Sequence, residues 1–378
     1  MRIPFLKDTG KWEPMTFAPH LADSPDLAAA RDRIETVLDG FLEAKARDAA
    51  ERGMPTLPAC ALTDFLHAGG KRLRPLLCVL GWHSAAWADR APVAVVRVAA
   101  ALEMFHAFAL IHDDIIDGSD VRRGRPALHR LLAGLHTDRR PRSLADRLGT
   151  NTALLVGDIA LCWSDELIHT AGLTPRQLSR LLPVLDTMRT EVMYGQHLDV
   201  TATGEPAADL RGALTIARYK SGKYTVERPL HIGAVLAGAS QEALDALTAF
   251  ALPVGEAFQL RDDILGVFGD PVITGKPCLD DLREGKHTAL VALALRDATP
   301  HQAASLRRLL GDPGLGETGA ARIRALLVRT GARRKVEEMI AQRRDDALRL
   351  LDRRGPLRPA VLPALRAIAE TATVDRVS

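Results

Sequence analysis

The stretch "PVAVVRVAAALEMFHAFALIHDDIIDGSDVRRGRP", residues 92–126, decides how the rest of the chain is read. From 92 to 117 it is apolar on most faces, which marks a helix at the centre of a fold rather than one lying on its surface. The apolar run ends in Asp113, Asp114 and Asp117, and Arg122, Arg123 and Arg125 follow at once. Asp113 and Asp117 are four residues apart, so their carboxylates share one helical face about one turn apart. Hard oxygen ligands at that spacing suit Mg²⁺, which takes one or two carboxylates together with substrate phosphates. On this stretch alone, a solvated helix end with a charged loop stays equally open.

A second long apolar segment, 241–268, ends the same way. In "FQLRDDILGVFGD" (258–270), Asp262 and Asp263 follow Phe258 and Leu260. Carboxylates gathered round one cavity would repel by about 4 kcal/mol per pair at 4 Å and an effective dielectric near 20. Multivalent cations remove that cost, so a repeated pair favours the metal reading over two unrelated helix ends.

Between these segments the pattern stays helical. A helix is expected to begin at Ser24-Pro25, with serine capping and proline opening it, and Ile34, Val37, Leu38, Phe41 and Leu42 follow a 3.6-residue period. Further helical segments include 151–170 and 175–200, and alternating strand patterns are nearly absent. Aromatic residues are only 4% of the chain, while alanine, leucine and arginine, all good helix formers, dominate. The fold class is all-α. Residues 1–22 read as a flexible tail, 23–378 as one domain, and 118 to about 150 as a long arginine-rich loop.

Basic residues supply the other half of the chemistry. "GGKRLRP" (69–75) joins two glycines, Lys71, Arg72 and Arg74 to a proline that opens a helix, the makings of an anion site. Lys220 and Lys223 in "YKSGKYT", Lys276, and Lys286 in "DDLREGKHTAL" add further cations. These point to a polyanion bridged by metal and a second anionic group held directly by arginine and lysine.

Composition narrows the class further. A net charge of +3 over 378 residues is too weak and too scattered for a nucleic-acid binder. The N-terminal residues have no apolar run of signal type. Charges such as Arg97, Glu103 and Arg296 are expected to keep every apolar run short of the roughly 20 residues that span a bilayer. Cys60, Cys78, Cys162 and Cys278 form no CxxC pair and read as small apolar fillers in a reducing, cytoplasmic setting.

Five motifs in order, GGKRLRP, DDIID with RRG, the glycine–aspartate pair in "LLVGDIAL", "YGQHLD" with "KSG", and "FQLRDD" through "DDLREGK", resemble the trans-isoprenyl diphosphate synthases (polyprenyl synthetase family) from about residue 30 to 370. The closest likeness is to the short-chain geranylgeranyl diphosphate synthases. The resemblance implies a helical bundle round a central cavity, two facing aspartate motifs, Mg²⁺ as cofactor and a homodimer. It implies that Asp113, Asp117 and Asp262 are metal ligands, with Asp114 and Asp263 supporting them. Arg122, Lys220 and Lys286 would grip an allylic diphosphate, and Ser221 and Lys276 would also be substrate-binding. Ser221 stands where the family more often has threonine. Lys71, Arg74, His106 and Arg123 would hold isopentenyl diphosphate, and Gln196 and Gln259 would lie near the reacting carbons, with Asp199 in the same polar wall.

The implied reaction is ionisation of the allylic diphosphate followed by condensation. Phe105, Phe108 and Ala109 resemble the chain-length residues of synthases making a C20 product; C15 or C25 products are the alternatives. One departure stands out: Gly266 replaces the last aspartate of the second motif, and Asp270 is the nearby candidate to replace it. A class I terpene cyclase shares DDxxD and Mg²⁺, but it lacks GGKRLRP. A non-catalytic partner subunit is the other alternative class.

Overall fold

The computed structural model describes residues 25–270, 279–353 and 355–371, and these are almost entirely helical. Contacts group them into two compact units. One holds the described residues of Met1–Val79 with Ala88–Pro175, and the other Leu80–Trp87 with the described residues of Arg176–Ser378.

The first unit is built on α1 (Pro25–Glu51), α2 (Leu57–His67), the start of α3 (Leu73–His83) and α4 (Val93–Ile116). Ile34, Leu38 and Leu42 of α1 are buried as the helical period requires, and Val37 and Phe41 are half-buried beside them. The stretch 118–150 differs from the expected long loop. It contains a two-stranded hairpin, β1 (Val121–Arg122) with β2 (Arg125–Pro126), then α5 (Leu128–Gly134) and the start of α6 (Arg142–His169). The arginines of this stretch sit at the hairpin, in the turn before α6 and on exposed positions of α5 and α6, where charge does not oppose helix formation.

α4 packs against α6 and α1. Fourteen of its residues are buried, from Val95 to Asp114. Contrary to the expectation from its charges, α4 is long and apolar enough to cross a membrane by length and composition. Yet 72% of its most apolar window is buried inside the protein. Arg97 and Glu103 are too few to break the run, and protein rather than lipid covers these faces.

The second unit runs from α7 (Pro175–Ala202) through α8 (Leu210–Ile216), a π-helical stretch (Ala217–Glu227), α9 (Arg228–Leu236) and α10 (Gln241–Phe268). It continues with α11 (Asp280–Glu284), α12 (Ala289–Asp297), α13 (Pro300–Leu309), α14 (Glu317–Arg329), α15 (Ala332–Leu351) and α16 (Leu362–Thr371). Side-chain caps start several of these helices. Ser240 accepts from Ala243 N–H, Thr288 from Val291 N–H, and Thr299 with Gln302 forms a capping box. α12 is buried at every position from Ala289 to Leu295, the mark of a helix enclosed on all sides.

An eleven-residue π-helical stretch is unusual, because such turns normally occur singly and close to functional sites. Glycines let its neighbours approach it. A Cβ on Gly255 of α10 would lie 2.6 Å from the Gly222 Cα, and one on Gly195 of α7 would collide with the Lys220 backbone. The π stretch is thus wedged between α7 and α10 by three glycines. Gly255→Ala is expected to lower stability by about 1–3 kcal/mol, as overpacking does. Urea unfolding monitored by circular dichroism checks this.

Candidate active site

The end of α4 and the hairpin after it form one construction. Asp117 caps α4, its N–H donating to the Asp113 carbonyl at 2.8 Å, so both acids stand one turn apart at the tip. The hairpin pairs Val121 with Pro126 and Arg122 with Arg125, leaving Arg123 and Gly124 as its two-residue turn. Their φ values are +55° and +71°, the left-handed pair that a tight right-twisted hairpin needs. Glycine takes this at no cost, whereas Arg123 is held there against its preference.

The turn sends its two arginines to different partners. Arg122 Nε donates to Asp114 Oδ1 at 2.8 Å, and its Nη2 lies 3.4 Å from Asp113 Oδ2. Burial opposes the Arg122 charge, but Asp114, Asp113 and Asp117 more than offset it and hold the guanidinium above its ordinary range. Arg123 instead donates to the Gly69 carbonyl in the GGKRLRP loop and lies over the Phe65 ring, 5.9 Å from its centroid. Burial pushes Arg123 down to about 10, with Glu103 opposing and Arg72, Arg122 and Arg74 adding to the fall.

Within GGKRLRP the cations divide again. Arg72 is buried, with Nε 2.7 Å from Glu35 Oε1, Nη1 2.9 Å from Glu103 Oε1, and Nη2 donating to the Leu66 carbonyl at 2.8 Å. Breaking such a pair costs about 3–5 kcal/mol, so Arg72 holds the loop and is not spent on a ligand. Gly70 sits at φ +150°, where a Cβ would be 2.8 Å from Arg72 Nη1 and 3.1 Å from Arg123 Nη2. Burial, then Arg74, Arg123, Arg122 and Arg72, hold the His106 imidazole well below its usual range. A neutral histidine ringed by guanidinium groups leaves a net positive field that suits an anion. Lys71 and Arg74 are half-buried.

Deeper along α4, Phe105 and Phe108 pack with tilted rings, 5.3 Å between centroids, and Phe108 meets His112 at 4.7 Å. Phe105 is 1% exposed and Phe108 9%, while Ala109 beside them is half-buried. The glycine–aspartate pair on α6 receives His112. A Cβ on Gly157 would strike its ring, and His112 Nε2 lies 3.2 Å from the Leu154 carbonyl and 3.5 Å from Asp158 Oδ1. No role for that pair was readable in the sequence, because a glycine shows what it admits only when its neighbour is known.

The second unit holds the other candidate residues. Lys220 Nζ donates to buried Asp199 Oδ2 at 2.5 Å, and Gln259 Nε2 to Asp263 Oδ1 at 2.8 Å. Burial raises Asp263 to about 7. Its bond from Gln259 opposes the rise, and Asp281, Asp262 and Asp199 reinforce it. Lys286 Nζ lies 2.9 Å from Glu284 Oε2 and 3.4 Å from Asp281 Oδ1. Gln196 and Ser221 are half-buried, and Asp270 is exposed. Lys223 is committed elsewhere, to Glu191 at 2.7 Å and Glu227 at 3.2 Å within the Glu191–Arg228 network. Lys276 and Cys278 lie outside the described residues. Cys78 is buried as a filler should be, but Cys162 is exposed on α6.

Asp281 and Glu284 were not singled out from the sequence, though "DDLREGK" displays both. Among the described residues, no three His, Cys, Asp or Glu side chains gather closely enough to bind a metal unaided. Mg²⁺ takes one or two carboxylates together with substrate phosphates. The acids present fit such an ion: buried Asp114 Oδ2 has no hydrogen-bond donor, an acceptor suited to a cation.

Asp263 gives the metal-free protein a pH signature. Its carboxyl is raised above the roughly 3.9 of an unfolded aspartate, so its contribution is full below about pH 4 and is lost as pH rises towards 7. The slope is at most about 1.4 kcal/mol per pH unit. Asp263→Asn should remove this loss, so thermal melts in chelator should show the variant gaining on the parent between pH 5 and 8.

The family model for Polyprenyl synthetase matches residues 58–326. The geranylfarnesyl diphosphate synthase of Aeropyrum pernix is 34% identical over 275 residues, 72% of this chain and 80% of its own. The nonaprenyl diphosphate synthase of Mycobacterium tuberculosis is 29% identical over 322 residues, 85% of this chain and 87% of its own. A solved geranylgeranyl pyrophosphate synthase from Corynebacterium glutamicum, complexed with isoprenyl diphosphate and magnesium, matches at a TM-score of 0.85 and 38% identity, over 92% of this chain and 98% of that one. These proteins differ in product length, and a divalent ion accompanies the diphosphate in the last. With its acid-tipped α4 and its divided arginines, the chain belongs to the polyprenyl synthetase family and is an all-α prenyltransferase.

Proposed function

We propose that this chain condenses isopentenyl diphosphate with an allylic diphosphate (dimethylallyl, geranyl or farnesyl) in an Mg²⁺-dependent reaction, and that its product is geranylgeranyl diphosphate. The observation that carries the reading is the hairpin turn, which sends Arg122 to the acids of α4 and Arg123 to the GGKRLRP loop. One arginine serves an acidic, metal-type site, and the other the basic GGKRLRP loop.

Asp113, Asp117 and Asp262 would hold the metal, which when bound neutralises the leaving diphosphate. Arg122, Lys220 and Lys286 supply positive charge already oriented by carboxylates, so little reorganisation is needed as the C–O bond breaks. Lys71, Arg74 and Arg123, round neutral His106, hold the second diphosphate without metal. A neutral imidazole adds no charge there but can donate one hydrogen bond. Gln196 and Gln259 offer polar groups near the reacting carbons, and the apolar wall of α4 excludes the water that would trap a cation.

Support for the C20 product comes from α4. Phe108 is five residues before Asp113 and Phe105 eight before, roughly 7.5 and 12 Å along the helix at 1.5 Å per residue. Packed against each other, with Phe108 also against His112, the two rings would stop the growing chain at that depth. We further propose that residues 23–378 act as one synthase domain, as a homodimer in the cytoplasm.

Purified protein with isopentenyl diphosphate, Mg²⁺ and each allylic starter tests this, with products sized by chromatography. C20 alcohols after dephosphorylation are expected. C15 or C25 would correct the length, starter loss without isopentenyl diphosphate would indicate a cyclase, and no turnover a partner subunit. Asp113→Ala should abolish turnover while leaving the circular dichroism spectrum unchanged. Phe108→Ala should shift the product beyond C20, and an unchanged product would remove Phe108 from chain-length control.

A further inference from the structure

The departure at Gly266 has a structural counterpart. Residue 266 is one turn beyond Asp262 on α10, so a side chain there would stand beside that carboxylate. Glycine leaves the place open, and it is taken by Asp281. A Cβ built on Gly266 would collide with Asp281 Oδ2 and lie 3.1 Å from its Cγ and 3.7 Å from its Cβ. Any side chain at 266 would have to displace that carboxylate.

We propose that Asp281, seated over Gly266, is the third carboxylate of the second acidic cluster, delivered from α11 in place of the aspartate that α10 lacks. The proposal rests on the metal-assisted reading above.

Three observations separate it from a plain ion pair with Lys286. Lys286 already has a nearer partner, Glu284 at 2.9 Å against 3.4 Å for Asp281, so the lysine does not require Asp281. The two oxygens of Asp281 address different groups: Oδ1 faces Lys286, and Oδ2 lies against α10. The backbone also fixes this seat. Gly285, at φ +68°, ends α11 and packs where a Cβ would be 2.9 Å from the Gly311 Cα, and Lys286 N–H returns to the Asp281 carbonyl at 3.3 Å. Asp270 is a poorer candidate, because it is exposed and lies past the Gly269 cap, where the chain has left the helix.

The test moves the carboxylate from one helix to the other. Full-length protein is mixed with inorganic pyrophosphate and titrated with Mg²⁺, and the midpoint of the metal-dependent rise in melting temperature is read. Asp281→Asn and Asp281→Ala should raise that midpoint about tenfold or more, the usual effect of losing a supporting group at a metal site. The double variant Gly266→Asp/Asp281→Ala should bring it back to within about threefold of the parent. Melts in chelator check that each variant folds. A midpoint unchanged in Asp281→Asn, or a double variant no better than Asp281→Ala, would overturn the proposal. A parent protein with no Mg²⁺ response would instead overturn the metal-assisted reading, and the proposal with it.

Discussion

Like charges brought together inside a protein must be neutralised where they stand, and this constraint orders both units of the chain. Three groups of carboxylates carry a cation of their own. Arg122 lies on Asp114 and Asp113, Lys220 on Asp199, and Lys286 on Glu284 and Asp281. The basic group round His106 is treated in the opposite way. Arg72 is fully satisfied by Glu35 and Glu103, while His106 is held neutral and Arg123 is pushed down to about 10. A cluster in which arginines outnumber the carboxylates beside them is a standing attraction for an anion. The paired cations are different: they are already aimed and need only exchange one anionic partner for another.

Glycine sets much of this geometry, through three different properties. In the Arg123–Gly124 turn it supplies a positive φ, which lets the hairpin point adjacent arginines at separate partners. At Gly195, Gly222 and Gly255 it supplies thinness, so that helices can grip the π-helical stretch carrying Lys220. At Gly157 and Gly266 it supplies a seat for a side chain from another helix, His112 in one case and Asp281 in the other. The last use turns a lost aspartate into a place for another one.

Most of the architecture was legible in the sequence, because it rests on patterns that recur every few residues. The all-α class, α4 and α10 follow from local periodicity. The acids, arginines and lysines of the motifs were visible by type and order. What was hidden depends on partners far away in sequence. The π-helical stretch has no compositional mark, and neither the Gly157 seat nor the Gly266 seat can be read without the residue that fills it. The hairpin was missed because two-residue strands give no periodicity to detect. α4 shows the limit from the other side: by composition it could cross a membrane, and only its neighbours show that most of its apolar window is buried in protein.

The central claim is that this chain holds two diphosphates by different physics, one through carboxylate-bound metal and one through arginine and lysine alone. Calorimetric titration of the intact protein, with and without chelator, measures this directly, using isopentenyl diphosphate and an allylic thiolodiphosphate that does not ionise. Isopentenyl diphosphate should bind in chelator about as well as in Mg²⁺, while the allylic analogue should bind only with Mg²⁺ present. If both ligands needed the metal, or neither did, the division of labour between the acidic and basic sites would be contradicted.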